Sequence, residues 1–203
     1  RTGFRIDDLS VLGQITNLTP DSRTVQPGDT FVAYPGVQSD GRQYIAQAIE
    51  QGAGSVIWES QGFVWNRDWK VPNLAVRDLL HQAGLIADHV YGQPSRKLWM
   101  VGVTGTNGKT SCSHWLANSL SALGRKCAVL GTLGNGFPGT LQETKNTTPD
   151  ALLLHGMLAQ YATQDAQAAV MEVSSHALAQ GRVNGIHFDV ALLTNLSRDH
   201  LDY

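Results

Sequence analysis

Residues 98–111 read LWMVGVTGTNGKTS: an unbroken apolar stretch, a turn punctuated by Gly105 and Gly108, then a run opening on Lys109, Thr110 and Ser111. A strand that is apolar on both faces must be covered on both faces, so it belongs in a parallel sheet flanked by helices. The turn leaves backbone N–H groups at a helix entrance, where the macrodipole is positive and a phosphate is favoured. There Gly105 and Gly108 let the backbone approach the anion, Lys109 supplies a mobile charge and Thr110 offers a hydroxyl to Mg²⁺. Val103 stands where the strict P-loop pattern has its first glycine, so the stretch is a variant. The plain alternative is a glycine-rich turn carrying a surface lysine.

The strand, loop, helix rhythm continues downstream. A helix is predicted from about Lys109 to Leu123, with Leu116, Leu120 and Leu123 on one face, followed by the strand KCAVLG, a helix over roughly 150–163, and the strands AAVMEV and DVALLTN. Upstream, GDTFVAYPG at 28–36, GSVIWE at 54–59 and VPNLAV at 71–76 read as strands, with helical periodicity through Tyr44–Ile49 and Leu79–Val90 between and after them. The stretch YGQPSRK at 91–97 has turn residues and no apolar periodicity, which marks it as the linker. The fold class is therefore α/β: a small N-terminal α/β unit over 1–95, then the first part of a doubly wound, P-loop central unit over 96–203.

Composition removes several functions. Fifteen Lys and Arg against seventeen Asp and Glu leave no basic footprint for nucleic acid or an anionic membrane. Cys112 and Cys127 are too sparse for a disulfide scaffold and read as free thiols. No long apolar segment and no charged-then-apolar leader occur, so the expected location is cytoplasmic. The five tryptophans are expected to pack rather than stack a base. The sequence stops directly behind an apolar strand, which suggests a fragment.

TGTNGKT resembles the ATP loop of the Mur ligases and of the related folylpolyglutamate and cyanophycin synthetases. Behind it, in order, come GTLGNGFPG, NTTPDALLLH, MEVSSHAL, GRV and TNLSRDHLDY, and ahead of it TPDSRTVQPGDTFVAYPG and SDGRQY. The resemblance spans nearly the whole chain and is closest to the member that extends UDP-N-acetylmuramoyl-L-alanyl-D-glutamate. It implies that residues 1–95 bind the UDP-linked substrate and that residues 105–111 bind ATP: Gly105, Thr106, Asn107, Gly108, Lys109, Thr110 and Ser111.

The other constellations have two readings each. Glu172 ends an apolar strand at the edge where open α/β sheets bind ligands, so it is placed to hold Mg²⁺; otherwise it is a charged strand end facing solvent. Asn146, Thr147 and Thr148 precede a helical run, where capping is the plain reading, and the resemblance puts them on the substrate as well. It likewise implies substrate contacts for Ser174, Gln180 and Arg182, for Ser22 in DSR, and for Val37, Gln38 and Ser39. In the family the histidine of the DHLD motif serves a second Mg²⁺, which makes His200 the third metal candidate beside Thr110 and Glu172, while Asp199 and His176 read as structural.

The implied chemistry is an ATP-dependent amide ligation through an acyl phosphate, with Lys109, Glu172 and His200 as the catalytic set, Mg²⁺ as cofactor, and meso-diaminopimelate or L-lysine as the incoming amino acid. A sister ligase, a folylpolyglutamate-type ligase or a non-catalytic P-loop module are the alternatives. The family's carbamylated lysine and amino-acid-binding domain are expected beyond Tyr203, so residues 1–203 alone are expected not to ligate.

Overall fold

The computed structural model describes residues 4–36, 39–144 and 146–197. Two sheets lie on either side of the 91–97 stretch. The first is all parallel, in the order β1 (Leu18–Thr19), β2 (Thr30–Ala33), β3 (Ser55–Glu59), β4 (Asn73–Val76). Alternate side chains leave its opposite faces: Phe31, Ala33, Val56 and Trp58 pack with helix α1 (Ile45–Glu50), while Val32 and Ile57 pack with α2 (Leu79–Val90). α2 starts behind Asp78, whose left-handed backbone provides no side-chain cap. Instead buried Glu59, at the end of β3, accepts from Leu79 N at 2.7 Å and Gln61 N at 2.8 Å, placing its charge at the positive helix end. Trp58 stacks on Trp65, which meets Trp69 edge-on, so these three pack as expected, whereas Trp115 on the second sheet's first helix is 69% exposed.

The second sheet has the order β7-β6-β8-β5-β9: β5 (Trp99–Thr104), β6 (Cys127–Gly131), β7 (Gly134–Gly136), β8 (Ala168–Glu172) and β9 (Val190–Leu193), with β7 alone antiparallel. Val101, Val103, Cys127, Val129, Ala168 and Val170 face α3 (Lys109–Ala122); Met100, Ala128, Leu130, Ala169 and Met171 face α4 (Ala151–Thr163). Helices thus cover both faces, the doubly wound arrangement. Both cysteines are free, and burial pushes the Cys127 thiol up to about 11, which keeps it protonated and unreactive. Among the described residues no helix is long and apolar enough to cross a membrane.

Four details differ from the sequence reading. β1 and β7 are too short for a periodicity to register. Leu123, expected on the buried face of α3, is 80% exposed because the helix has ended at Ala122 and residue 123 turns outward as its C-cap. Among the described residues β9 lies at the sheet edge, and its four residues are exposed where a continuous apolar run implies cover on both faces. The 91–97 stretch is a packed joint: Tyr91 Oη bonds Leu18 N and Asn17 Oδ1, both at 3.0 Å, and Pro94 and Ser95 are buried in a 3-10 turn. Ala151 and Leu152 of α4 complete the apolar cluster around α2, so one core runs across both units.

His155 of α4 is fully buried at this junction, its Nε2 3.1 Å from the Asn184 carbonyl and its Nδ1 3.8 Å from Asp88 Oδ1 on α2. Burial lowers its pKa, outweighing the Asn184 hydrogen bond and the Asp88 charge. The unfolded chain therefore binds the proton first as the pH falls, so stability is intact above the unfolded histidine value of about 6.5 and is lost below it. The urea midpoint is expected to fall between about pH 7.5 and pH 5.5, and to fall less in His155→Gln. Equal falls in both proteins would refute this role for His155.

Candidate functional site

β5, β6, β8 and β9 all end at the same edge of the second sheet, and the candidate residues collect there. The loop behind β5 turns at Gly105 (φ 131°) and Gly108 (φ 84°), a conformation that glycine adopts without strain, and α3 begins at Lys109. The first four N–H groups of a helix have no intrahelical acceptor, so those of α3 point into the space above the sheet edge. Lys109 Nζ lies back over the loop, donating to the Gly105 carbonyl at 2.7 Å and the Thr106 carbonyl at 3.1 Å. Gly105 has a role that its sequence context did not suggest. A Cβ there would collide with Thr194 Oγ1, so the glycine serves the approach of the loop to β9.

Glu172 is 1% exposed, and its carboxylate is held from three sides. Oε1 accepts from Thr132 N at 2.9 Å; Oε2 accepts from Thr110 Oγ1 at 3.0 Å and Thr132 Oγ1 at 3.2 Å. A side chain at Gly131 would occupy the position of Oε1, which explains a glycine at the end of β6. The reading of Glu172 as a strand end facing solvent is therefore incorrect: the carboxylate is buried beside the first turn of α3. Thr132 was not anticipated from sequence. The available signal was its place directly behind an apolar strand, at the same edge as the glycine loop and Glu172.

The NTTP segment reaches the same place by a different route. Thr148 Oγ1 donates to the Glu172 carbonyl at 2.8 Å and accepts from Ser174 N at 3.3 Å; Thr147 Oγ1 lies 3.1 Å from Thr132 Oγ1. The helix cap behind it is Asp150, whose carboxylate accepts from Leu153 N, so the threonines are free of the capping role considered for them. Ser174 caps α5 (Ser175–Ala179) through Ala177 N. Arg182 donates Nη1 to the Thr148 carbonyl at 2.8 Å, and Nε and Nη2 to Gln180 Oε1 at 3.0 and 2.7 Å. With three of the five guanidinium hydrogens engaged, two remain for an anion in the cavity.

One cavity of about 470 Å³ is lined by Thr106, Asn107, Gly108, Lys109 and Thr110 from the loop, with Thr132, Glu172 and Ser174 opposite, and Asn146, Thr147, Thr148, Gln180 and Arg182 at its side. Ser111 sits on the exposed side of α3, outside this cavity. Ser22 and Ser39 line a second cavity of about 500 Å³ in the first unit. Ser22 is buried and donates Oγ to Gln47 Oε1 at 3.0 Å. Between the two lies a third cavity of about 380 Å³, which shares Tyr34 and Gly36 with the second and Asn146, Gln180 and Arg182 with the first. Through these shared lining residues the three cavities adjoin in series from Ser22 to Glu172, a trench in outline. Val37, Gln38, Asp199 and His200 lie outside the described residues. Among the described residues no group of three or more His, Cys, Asp or Glu gathers as a metal cluster.

The Mur ligase middle domain matches residues 103–203, and the domain described as Mur ligase family, catalytic domain, matches residues 14–91. The chain belongs to the Mur ligase family. This Mur ligase chain is 55% identical over 190 residues to UDP-N-acetylmuramoyl-L-alanyl-D-glutamate--2,6-diaminopimelate ligase of Nitrosomonas europaea, covering 94% of the chain and 36% of that relative. It is 52% identical over 187 residues to the ligase of the same name from Neisseria meningitidis serogroup A, covering 92% of the chain and 38% of the relative. The chain thus spans little more than a third of the curated relatives it matches. A solved structure of a ligase with that name superposes with a TM-score of 0.76 at 36% identity, covering 92% of this chain and 37% of the other. A MurF ligase from Thermotoga maritima in complex with ADP superposes at 0.64 with 24% identity, covering 94% and 39%, a likeness of fold.

Proposed function

We propose that the protein containing this chain is an ATP-dependent ligase that adds the third amino acid to UDP-N-acetylmuramoyl-L-alanyl-D-glutamate in peptidoglycan synthesis, in the cytoplasm. The observation that carries the reading is the trench, which joins the glycine loop and Glu172 to the Ser22 cavity. Its lining suits a substrate whose nucleotide end lies against Ser22 and whose peptide end lies beside Arg182. The names of the relatives favour diaminopimelate over lysine as the incoming amino acid.

In this reading the first-turn N–H groups of α3 and Lys109 hold the ATP phosphates, and Arg182 orients the substrate's carboxylate. A γ-carboxylate oxygen of the D-glutamate attacks the γ-phosphorus, and ADP leaves. The amine of the incoming amino acid then attacks the acyl carbon, loses its proton, and expels inorganic phosphate. Thr110 Oγ1 and the Glu172 carboxylate, 3.0 Å apart beside the phosphate site, fit Mg²⁺, which takes hard oxygen ligands and usually keeps several waters. When bound, Mg²⁺ would neutralise phosphate charge; His200 is proposed as a further ligand.

ADP release by the intact protein, measured with ATP, UDP-N-acetylmuramoyl-L-alanyl-D-glutamate and each of a panel of amino acids, tests the reading. Release that depends on diaminopimelate and is absent with L-lysine is expected, and ATP turnover indifferent to the UDP-linked compound would sink it. Ser22→Ala is expected to weaken binding of the UDP-linked substrate roughly twofold to tenfold, for about 0.5–1.5 kcal/mol of lost hydrogen bonding, with ATP affinity unchanged. Because the Ser22 proton is committed to Gln47, its oxygen is left to accept, which suits an N–H of the base more directly than a phosphate oxygen. Calorimetric titration giving equal affinities in variant and parent would remove Ser22 from the site.

A further inference from the structure

The loop behind β5 lies between two strand ends, with Glu172 of β8 on one side and the residues following β9 on the other. Those residues grip the loop by its backbone. Asn195 Oδ1 accepts from Asn107 N at 3.0 Å, while its Nδ2 donates to the carbonyl of the same residue at 3.0 Å. Thr194 Oγ1 donates to that carbonyl at 2.6 Å, and the Asn195 carbonyl accepts from Thr106 N at 3.1 Å. Thr106 Oγ1 in turn accepts from Ser197 N at 2.9 Å.

The consequence is a division of the loop's donors. The N–H groups of Thr106 and Asn107 are consumed by the end of β9, whereas those at the start of α3, from Gly108 on, have no intrahelical acceptor and remain for an anion. The direction in which these donors point depends on the two peptide planes flanking Asn107, and the Asn195 carboxamide binds one group from each plane. A threonine or serine could engage only one plane firmly; a carboxamide, with a donor and an acceptor on one rigid fork, engages both. Gly105, where a side chain would collide with Thr194 Oγ1, allows the approach.

We infer that Asn195 is a positioning residue for the nucleotide phosphates, acting through the Asn107 peptide and without touching the nucleotide. This rests on the reading of the loop as the ATP site. A phosphate donor turned away loses a hydrogen bond to a charged group, so Asn195→Ala is expected to raise the KM and Kd for ATP on the order of 10- to 100-fold. The KM for the UDP-linked substrate, bound along the trench, is expected to stay within about twofold. Asn195→Asp is nearly isosteric and keeps the acceptor for Asn107 N, but sets an oxygen against the Asn107 carbonyl; it is expected to be no better than Asn195→Ala. Thr194→Val, which leaves the two-point grip in place, is expected to cost ATP affinity less than either.

The experiment is titration of the intact protein and the three variants with ATP, alongside steady-state kinetics and melting temperatures. Weakened ATP binding in a folded Asn195→Asp variant, with the other substrate's KM unmoved, supports the positioning role. ATP binding equal to the parent's in folded Asn195→Ala or Asn195→Asp overturns it, and shows the grip to be structural only. Because the titration needs no ligation, a parent that binds ATP but never releases ADP refutes the proposed ligase activity while the Asn195 result still stands or falls by itself.

Discussion

Replacing Glu172 by glutamine in the intact protein is expected to lower amino-acid-dependent ADP release on the order of 10³-fold while the fold remains. The amide keeps an oxygen to accept from Thr132 N, and its NH₂ group faces the Thr110 and Thr132 hydroxyls, which can turn to accept from it. The hydrogen bonds of the buried position survive and only the charge is lost. The melting temperature should therefore move by no more than about 3 °C. A charge so deeply buried with neutral donors and no cationic partner among them is costly for a fold, and a cation bound beside Thr110 would offset that cost. Turnover within tenfold of the parent would show that the carboxylate is only a structural acceptor.

Lys109→Ala is expected to have an effect of similar size by a different route. Nζ lies on the Gly105 and Thr106 carbonyls beside the cavity, and in the proposed reading it would swing away from them to bring its charge over the phosphates. The two carbonyls belong to a solvent-accessible loop, so water replaces the ammonium in the variant and stability changes little. Loss of a charged donor aimed at a transferring phosphoryl group lowers kcat/KM for ATP on the order of 10³-fold. Lys109→Arg should not restore it, since a planar fork does not fit where a compact ammonium reaches between two carbonyls. Near-parental turnover in Lys109→Ala would remove Lys109 from the phosphate site, and in Lys109→Arg it would show that any cation there suffices.

The parts legible in sequence were those written in local periodicity. Continuous apolar runs marked β5, β6 and β8, and the helical spacing behind Lys109 and Asp150 marked α3 and α4, because a side chain's direction along a strand or helix repeats every two or 3.6 residues. The short β1 and β7 carry too few residues for either repeat to show, and Leu123 continued a helical pattern beyond the point where the chain had turned. At the site, the glycine loop, Glu172 and the NTTP threonines were legible by type and by position at strand ends. Thr132 was not singled out, and the TNLSRDHLDY motif put Asn195 at the same sheet edge but was read for its histidine, since the importance of both residues lies in partners 40 and 88 residues away.

By itself, then, the sequence determined an α/β chain with a helix entrance built for phosphate, a carboxylate at the same sheet edge, and a resemblance that named the family. Tertiary structure decided the rest. It buried Glu172 against Thr110 and Thr132, joined the Ser22 cavity to the glycine loop through the Arg182 trench, and packed α4 against α2 so that two units share one apolar core. It also gave the end of β9 its grip on the loop. Strand order brings these groups together: β8 and β9 flank β5 in space although long helical crossovers separate them along the chain, and no local pattern records which strands become neighbours.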